Sequence, residues 1–248
     1  MYGVLRSLAM YYGVPRRGRR LARLYAQFIE PGALCFDVGA HVGNRVRCWR
    51  RLGARVVAVE PQADFARLLT LLFGRDDAVT VLETAVGRAP GRAPLHVSPR
   101  TPTVTTLSAD WIAAVSEDPS FKGVRWSTAG SVPVTTLDRL IAEHGRPRFV
   151  KIDVEGYEAE VLAGLSSPVP ALSFEYVAAA RDIALACVEQ LEALARYEYN
   201  WSPGEQSELA SAEWLDAAGI SEVLTKLPRS GDVYARLRSA VPAQAAPS

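Results

Sequence analysis

The chain has little cysteine, and this scarcity limits the possible classes of protein. Cys35, Cys48 and Cys187 are widely spaced and form no Cys-x-x-Cys pair. An odd number of cysteines at this spacing argues against a disulfide framework and against a zinc site. We therefore expect a reducing compartment, the cytoplasm.

The chain also lacks an excess of charge of one sign and long hydrophobic runs. Its 248 residues carry 28 basic and 27 acidic side chains, so no summed field draws it toward nucleic acid or an anionic membrane. The first twenty residues lack the apolar stretch of a signal peptide, and Pro168 and Pro170 break later uncharged runs. We expect neither secretion nor a membrane span.

Strand-like and helix-like segments alternate along the chain, which predicts an α/β fold with a largely parallel sheet. A helical lead-in occupies residues 1–33, and the main domain spans 34–239 with an insertion at about 88–131, where Pro, Ser, Thr and Gly are frequent. The tail, 240–248, is expected to be disordered. The predicted strands are 34–39, 55–61, 79–87, 149–156, 171–176, 197–202 and 232–237. The predicted helices are 15–30, a helix that runs through Arg50, 63–73, 135–145, 157–165 and 181–195. Thr136 is the predicted cap of the helix at 135–145.

The segment FDVGAHVGN, residues 36–44, carries the clearest local chemistry. Asp37 ends a predicted strand, Gly39 and Gly43 permit a tight turn into a helix, and Glu60 ends the next strand 21 residues after Gly39. An acid at that distance suits the two hydroxyls of a ribose. The pattern therefore indicates a ligand that contains adenosine.

His41 bears on which adenosine ligand this is. A dinucleotide loop places glycine at this position so that the backbone can approach a pyrophosphate, and an imidazole ring would crowd it. S-adenosylmethionine has no phosphate, and its sulfonium and ammonium groups would be attracted by Asp37. The loop therefore favours this cofactor.

Further motifs follow in a fixed order: VVAVEPQ, TAVG, VPVTTLDRLI, KIDVEGYEAEVLAGL and SFE. Over about residues 34–176 the chain resembles the FkbM-type family of S-adenosylmethionine-dependent methyltransferases. The resemblance implies a class I methyltransferase fold, a Rossmann-like doubly wound sheet of seven strands with an antiparallel last strand. It also implies O-methylation of a hydroxyl on a sugar, glycolipid or natural product.

The resemblance also implies roles for particular residues in binding the cofactor. Glu60, followed by Pro61, would contact the ribose, and Ala85 and Val86 would lie near the adenine. Glu83 lies two residues before the usual position of an adenine-binding acid, which leaves recognition of that ring open. The residues expected to border the methionine part of the cofactor are Asp37, Gly39, Ala40, His41, Gly43, Asn44 and Asp153.

The predicted strand at 149–156 has the apolar pattern of a buried strand but carries three charges on alternate positions, Lys151, Asp153 and Glu155. Strands of a doubly wound sheet open onto the ligand crevice at their carboxyl ends, so Asp153 and Glu155 are expected to face the site. A carboxylate within reach of the acceptor hydroxyl can act as a base or orient it, and we predict Asp153 first and Glu155 second. Lys151 would hold one of them ionised. The alternative is an ion pair followed by a helix start.

Other candidates leave two interpretations open. His41 has the ordinary pKa of a general base, about 6.5, or is a loop histidine bonded to the backbone. No metal is predicted, because Asp138, Asp153 and Glu155 look too scattered. Arginines 16–23 form a solvated helix face or an anion contact. The segments that form either an acceptor lid or ordinary packing are Tyr11 and Tyr12, 101–111, Trp126 and 197–201.

Three function classes follow from the sequence: an O-methyltransferase, a catalytically silent relative that binds the cofactor or a partner, and a nicotinamide oxidoreductase. His41 in the phosphate loop disfavours the oxidoreductase. A small-molecule or glycan acceptor is expected as partner.

Overall fold

The computed structural model describes residues 17–204 and 206–238. Its strands are β1 (Leu34–Val38), β2 (Arg55–Val59), β3 (Val79–Leu82), β4 (Ala85–Val86), β5 (Gly91–Val97), β6 (Ser127–Thr135), β7 (Phe149–Ile152), β8 (Ala171–Tyr176), β9 (Tyr197–Pro203) and β10 (Gly231–Leu237). Its α-helices are α1 (Arg17–Tyr25), α2 (Asn44–Arg51), α3 (Ala63–Phe73), α4 (Ala109–Val115), α5 (Leu137–His144), α6 (Glu158–Leu162), α7 (Arg181–Leu194) and α8 (Ala217–Lys226). The predicted tail, 240–248, lies outside the described residues.

The main sheet has seven strands in the order β3-β2-β1-β7-β8-β10-β9. β1 pairs in parallel with β2 and β7, and β7 pairs in parallel with β8. β10 is antiparallel to both of its neighbours, β8 and β9. The predicted doubly wound sheet with an antiparallel last strand is therefore confirmed.

The predicted third strand, 79–87, is wrong as a single element. β3 extends the main sheet beside β2, whereas β4 pairs in parallel with β6 in a separate three-stranded sheet. Between them Thr84 donates its hydroxyl to the carbonyl oxygen of Pro133, 2.9 Å away. The sequence does not reveal this break, because both pieces are apolar and rich in β-branched residues.

Helices cover both faces of the main sheet. α5, α6, α7 and α8 pack on the face that includes Phe36 and Val150, and α1, α2 and α3 pack on the opposite face around Phe149. Thr136 caps α5 as predicted, accepting from the backbone N–H of Arg139 at 3.1 Å. In the part of the chain that the structure describes, no helix is both long and apolar enough to cross a membrane.

Two helices are absent from the prediction. α4 begins after Ser108, whose hydroxyl accepts from the N–H of Trp111 at 3.0 Å, and α8 begins after Asp216, which accepts from Gly219 at 2.8 Å. Both caps follow ordinary sequence rules. They were missed because the surrounding Pro, Ser, Thr and Gly residues resemble a loop.

The α1 helix attaches the lead-in to the sheet through an aromatic contact. The Tyr25 ring lies edge-on to Trp49 and Phe149, with centroid distances of 5.2 and 5.5 Å. Arg19, Arg20 and Arg23 are exposed on the other side of the helix. These three arginines form the solvated face that the sequence offered as one interpretation.

Gly39 allows the loop after β1 to pass close to the end of β7. Its φ is +86°, and a Cβ built there would lie 1.9 Å from the backbone oxygen of Asp153. The Asp153 N–H donates to the carbonyl of Val38 at 2.9 Å, and the Gly39 N–H donates to that of Val59 at 2.9 Å. The atom that a Cβ at position 39 would meet belongs to the backbone of Asp153. No change of side-chain rotamer can therefore make room for it.

Replacing Gly39 by alanine is predicted to destabilise the protein more than the same change at Gly32. Both residues have positive φ, but the space around Gly32 is open to 4 Å. The left-handed backbone costs about 1–2 kcal/mol in either variant, and the overlap at Gly39 adds roughly 1–3 kcal/mol. Urea unfolding of Gly39→Ala and Gly32→Ala measures the difference. Equal losses would contradict the close approach.

Candidate active site

A cavity of about 350 Å³ opens at the carboxyl ends of β1, β2, β7 and β8. It lies where the topology of an open α/β sheet places ligands. The predicted site residues that line it are Gly39, His41, Asn44, Glu60, Pro61, Ala85, Val86, Asp153 and Glu155. Strands far apart in sequence thus bring the predicted ribose acid and the predicted acceptor-side acids to one cavity.

Glu60 is a buried carboxylate with a fixed orientation. Its Oε2 accepts from the backbone N–H of His41 and its Oε1 from that of Gln62, each at 2.9 Å. Burial raises its pKa to about 7, although these two N–H donors act in the opposite direction. The contact with His41 joins the loop after β1 to the end of β2, so one side chain both shapes the cavity and faces into it.

His41 lines the cavity with an imidazole that is neutral near neutral pH. Its φ is +50° and its ring centroid lies 4.2 Å from that of Phe65. Burial lowers its pKa to about 4, against the attraction of Asp153. A base with so low a pKa accepts a proton weakly. This environment disfavours His41 as the general base.

Asp153 follows β7 directly and is held by two cations. Its Oδ2 lies 2.7 Å from Nη2 of Arg45 and 3.5 Å from Nζ of Lys151. Lys151 is fully buried and also contacts Oδ1 of Asp232 at 2.7 Å. Burial alone would raise the pKa of Asp153, but the charges of Lys151 and Arg45 outweigh it and keep the pKa below its ordinary value. The predicted pairing with Lys151 is therefore present.

Glu155 and Glu175 lie beside Asp153. One carboxylate oxygen from each of the three residues lies within 4.8 Å of the other two. Within the described ranges Oε2 of Glu175 is buried and has no hydrogen-bond partner. Burial, followed by repulsion from Glu155 and Asp153, raises the pKa of Glu175 well above its ordinary value. Asp138 lies apart from this group and accepts from the backbone of Ser166 at 2.9 Å.

Four predicted site residues, Asp37, Ala40, Gly43 and Lys151, are buried behind the cavity wall and do not line it. Asp37 and Lys151 are opposite each other in the β1–β7 register and lie on the sheet face that α1 and α2 cover. Asp37 therefore does not contact the cavity.

Several residues that line the cavity were missed from the sequence. Arg45 is one residue into α2, and Glu175 belongs to the SFE motif, which could have marked it as a charge at the end of a buried strand. Asp232 comes from the antiparallel strand, and no local signal places it here. Pro102, Thr103 and Thr105 belong to the insertion and also line the cavity.

The aromatic residues considered for a lid have different roles. Trp126 packs with Trp111 and Phe121 in a cluster apart from the cavity, and its Nε1 donates to the carbonyl of Val104 at 2.8 Å. Trp201 packs against the main core. Tyr11 and Tyr12 lie outside the described residues.

Comparison with known proteins gives a family match and several distant structural likenesses. Residues 37–192 match the model of the methyltransferase FkbM domain. A hexuronic acid methyltransferase of Haloferax volcanii, AglP, is 30% identical over 163 residues, which is 62% of this chain and 59% of that protein. The chain thus aligns with less than two thirds of that relative.

Two solved structures are similar at low identity. An O-methyltransferase from Bacillus cereus in complex with SAH has a TM-score of 0.45 and 12% identity, covering 95% of this chain and 90% of that one. A precorrin-6y C5,15-methyltransferase from Geobacter metallireducens has a TM-score of 0.42 and 13% identity, covering 89% and 87%. Both likenesses are distant, so the family assignment rests on the domain match.

The strand order with its antiparallel last strand defines the fold of a class I methyltransferase. The chain belongs to the FkbM methyltransferase family. S-adenosylmethionine is the methyl donor of this domain.

Asp37 is predicted to make stability depend on pH. Among the described residues neither of its carboxylate oxygens has a hydrogen-bond partner, and burial raises its pKa to about 6, with Asp153 adding to this and Arg45 and Lys151 opposing it. The unfolded pKa is about 3.9. Because the folded protein holds this proton more tightly, the stabilisation is complete below about pH 4 and is lost as pH rises through about 6.

Asp37→Asn removes this titration with little change in shape. Between pH 4 and 7.5 the wild type is expected to lose about 2–2.5 kcal/mol more stability than the variant. Urea unfolding across this range measures both curves, and groups that do not interact with Asp37 cancel in the comparison. Parallel curves would show that Asp37 does not titrate as described.

Proposed function

We propose that the protein is an S-adenosylmethionine-dependent O-methyltransferase that methylates a hydroxyl of a sugar, glycolipid or natural product. The observation that carries the proposal is the charge of the cavity. Five carboxylates line it, from Glu60, Asp153, Glu155, Glu175 and Asp232. Such a lining attracts a cationic ligand.

The basic side chains that line the cavity also favour S-adenosylmethionine over a dinucleotide as the ligand. Arg45 and His41 are the basic residues among the described lining positions. Arg45 is paired with Asp153, and the low pKa of His41 keeps it neutral. A pyrophosphate would therefore meet carboxylates without a free cation. The same charges disfavour the phosphates of a nucleic acid.

The described residues fit the methyl donor in three places. Glu60 presents a buried carboxylate for the ribose hydroxyls, and Ala85 and Val86 offer an apolar wall for the adenine. Gly39 and Asn44 border the methionine part, where the backbone of Gly39 leaves no room for a side chain. When bound, the donor supplies an electrophilic methyl group on a positively charged sulfur.

The acceptor side of the cavity has both acids and small polar groups. Asp153, fixed by Arg45 and Lys151, can accept a hydrogen bond from the acceptor hydroxyl and orient its oxygen. Thr103 and Thr105 from the insertion face the same cavity and suit a polyol. The hexuronic acid methyltransferase that the chain resembles supports a sugar as acceptor. The three cysteines are buried and free, which supports the cytoplasm as the compartment.

The test of this function begins with ligand binding and ends with product. S-adenosylhomocysteine at about 100 times its dissociation constant should stabilise the protein by roughly 2.7 kcal/mol, whereas NAD should give no thermal shift. Methyl transfer from labelled donor is then measured with methyl glycosides of neutral hexoses and of hexuronic acids. The acid-rich lining predicts that neutral hexosides are preferred. A thermal shift with NAD alone, or no methylation of any hydroxyl acceptor, would overturn the proposal.

Glu60→Gln is predicted to weaken binding of S-adenosylhomocysteine. Loss of a charged hydrogen bond costs about 1.5–3 kcal/mol, equivalent to roughly a 10–150-fold weaker Kd. Isothermal titration calorimetry measures the affinity, and thermal unfolding confirms that the variant folds. Glu222→Gln is the matched control, because Glu222 lies on an exposed face of α8 in an ion pair with Lys226. Unchanged affinity in Glu60→Gln would remove Glu60 from ribose recognition.

A further inference from the structure

The charges at the acceptor end include a group of two cations and two carboxylates that compensate one another. Two cations, Arg45 and Lys151, are balanced by two carboxylates: Asp153 contacts both, and Asp232 contacts Lys151. Glu175 contacts neither cation within salt-bridge distance among the described pairs. Neither of these two cations therefore compensates the charge of Glu175 at contact distance.

Glu175 nevertheless occupies a central position in this group. It lies near the end of β8, opposite Asp232 in the β8–β10 register, and one residue beyond the pairing of Ile152 with Phe174. Its carboxylate lies within 4.8 Å of those of Asp153 and Glu155 and lines the cavity. Oε2 has no hydrogen-bond partner within the described part of the chain. Because Glu175 lines the cavity, an acceptor hydroxyl there can donate to its carboxylate.

We propose that Glu175 is the catalytic base of the methyl transfer and that Asp153 is a positioning residue, an inference that rests on the proposed function. The acceptor oxygen forms a bond to the methyl carbon as the sulfur–methyl bond breaks, and the electron pair of that bond stays on sulfur. The hydroxyl proton passes to the carboxylate of Glu175 and is later released to water. The acceptor leaves as a methyl ether and the donor as a neutral thioether.

Asp153 is less suited to take the proton. Its pKa is lowered by Lys151 and Arg45, so its carboxylate is a weak base. Protonation of Asp153 would also leave the guanidinium of Arg45 without its partner at 2.7 Å, and an uncompensated buried charge is costly. Asp153 therefore acts through its fixed position.

Glu175 has the properties of a base that becomes active when the donor binds. Burial and the charges of Glu155, Asp153 and Glu158 raise its pKa, Lys151 opposes them, and Asp232 faces it from β10. A sulfonium charge in the cavity lowers the pKa of a nearby carboxyl and therefore favours the ionised, basic form of Glu175 when the donor is bound.

The first test compares S-adenosylmethionine with S-adenosylhomocysteine, which differ by one methyl group and one positive charge. The protein is labelled with glutamate carrying carbon-13 at the side-chain carboxyl, and the Glu175 resonance is assigned by its loss in Glu175→Gln. We expect the pKa of Glu175 to be at least one unit lower with S-adenosylmethionine than with S-adenosylhomocysteine. Equal pKa values with both ligands bound would overturn the proposal.

The second test uses the best hexoside acceptor and follows kcat/KM against pH. Glu175→Gln is expected to react about 10²–10⁴-fold more slowly than the wild type. Its pH profile should also lack the decrease in kcat/KM on the acidic side. Its affinity for S-adenosylhomocysteine should change less than about threefold. Asp153→Asn should slow the reaction but keep the acidic decrease. Glu222→Gln should match the wild type in both rate and profile.

The outcomes separate this inference from the proposed function. If S-adenosylhomocysteine does not bind, or the wild type methylates no hydroxyl, the proposed function fails. If the wild type is active and Glu175→Gln retains its rate and acidic limb, the inference alone fails. It also fails if the wild type requires Mg²⁺ or Mn²⁺ and Glu175→Gln abolishes binding of that ion, because Glu175 would then be a metal ligand.

Discussion

The ion network of Arg45, Lys151, Asp153 and Asp232 is the interaction on which the architecture of the site depends. It joins α2, the end of β7 and the antiparallel strand β10, which are distant in sequence. Removing one partner of a buried pair typically costs about 3–5 kcal/mol, because the other charge is left uncompensated. The network therefore fixes the position of each member, and three of them, Arg45, Asp153 and Asp232, line the cavity.

The same network explains why the cavity suits a cationic donor. The two cations are used internally, so the remaining carboxylates face the cavity with a surplus of negative charge. Glu60 at one end and Glu175 at the other have raised pKa values because burial disfavours their charged forms. A positive ligand that displaces water relieves this cost. Under the proposed function, binding of the donor and ionisation of these carboxyls would be coupled electrostatically.

The sequence predicted those parts of the molecule whose signals are local. The glycine loop, Glu60 and Asp153 follow strands with a clear apolar pattern, so the topology alone brings them to one edge of the sheet. Asp232 could not be placed, because it enters through an antiparallel pairing of strands distant in sequence. Glu175 belongs to the SFE motif, but its proposed role as a base depends on the pairing of Arg45 and Lys151 with Asp153 and Asp232. The sequence does not show this pairing. The split between β3 and β4 was hidden, because both pieces satisfy the same strand pattern.

The central claim is that this acid-rich cavity holds a cationic adenosyl donor between Glu60 and the carboxylates that follow β7. A crystal structure of the complex with S-adenosylhomocysteine tests it most directly. The account predicts the ribose hydroxyls within hydrogen-bond distance of the Glu60 carboxylate, and the sulfur directed toward Asp153 and Glu175. A ligand whose ribose lies away from Glu60, or whose sulfur is directed away from both acids, would contradict it.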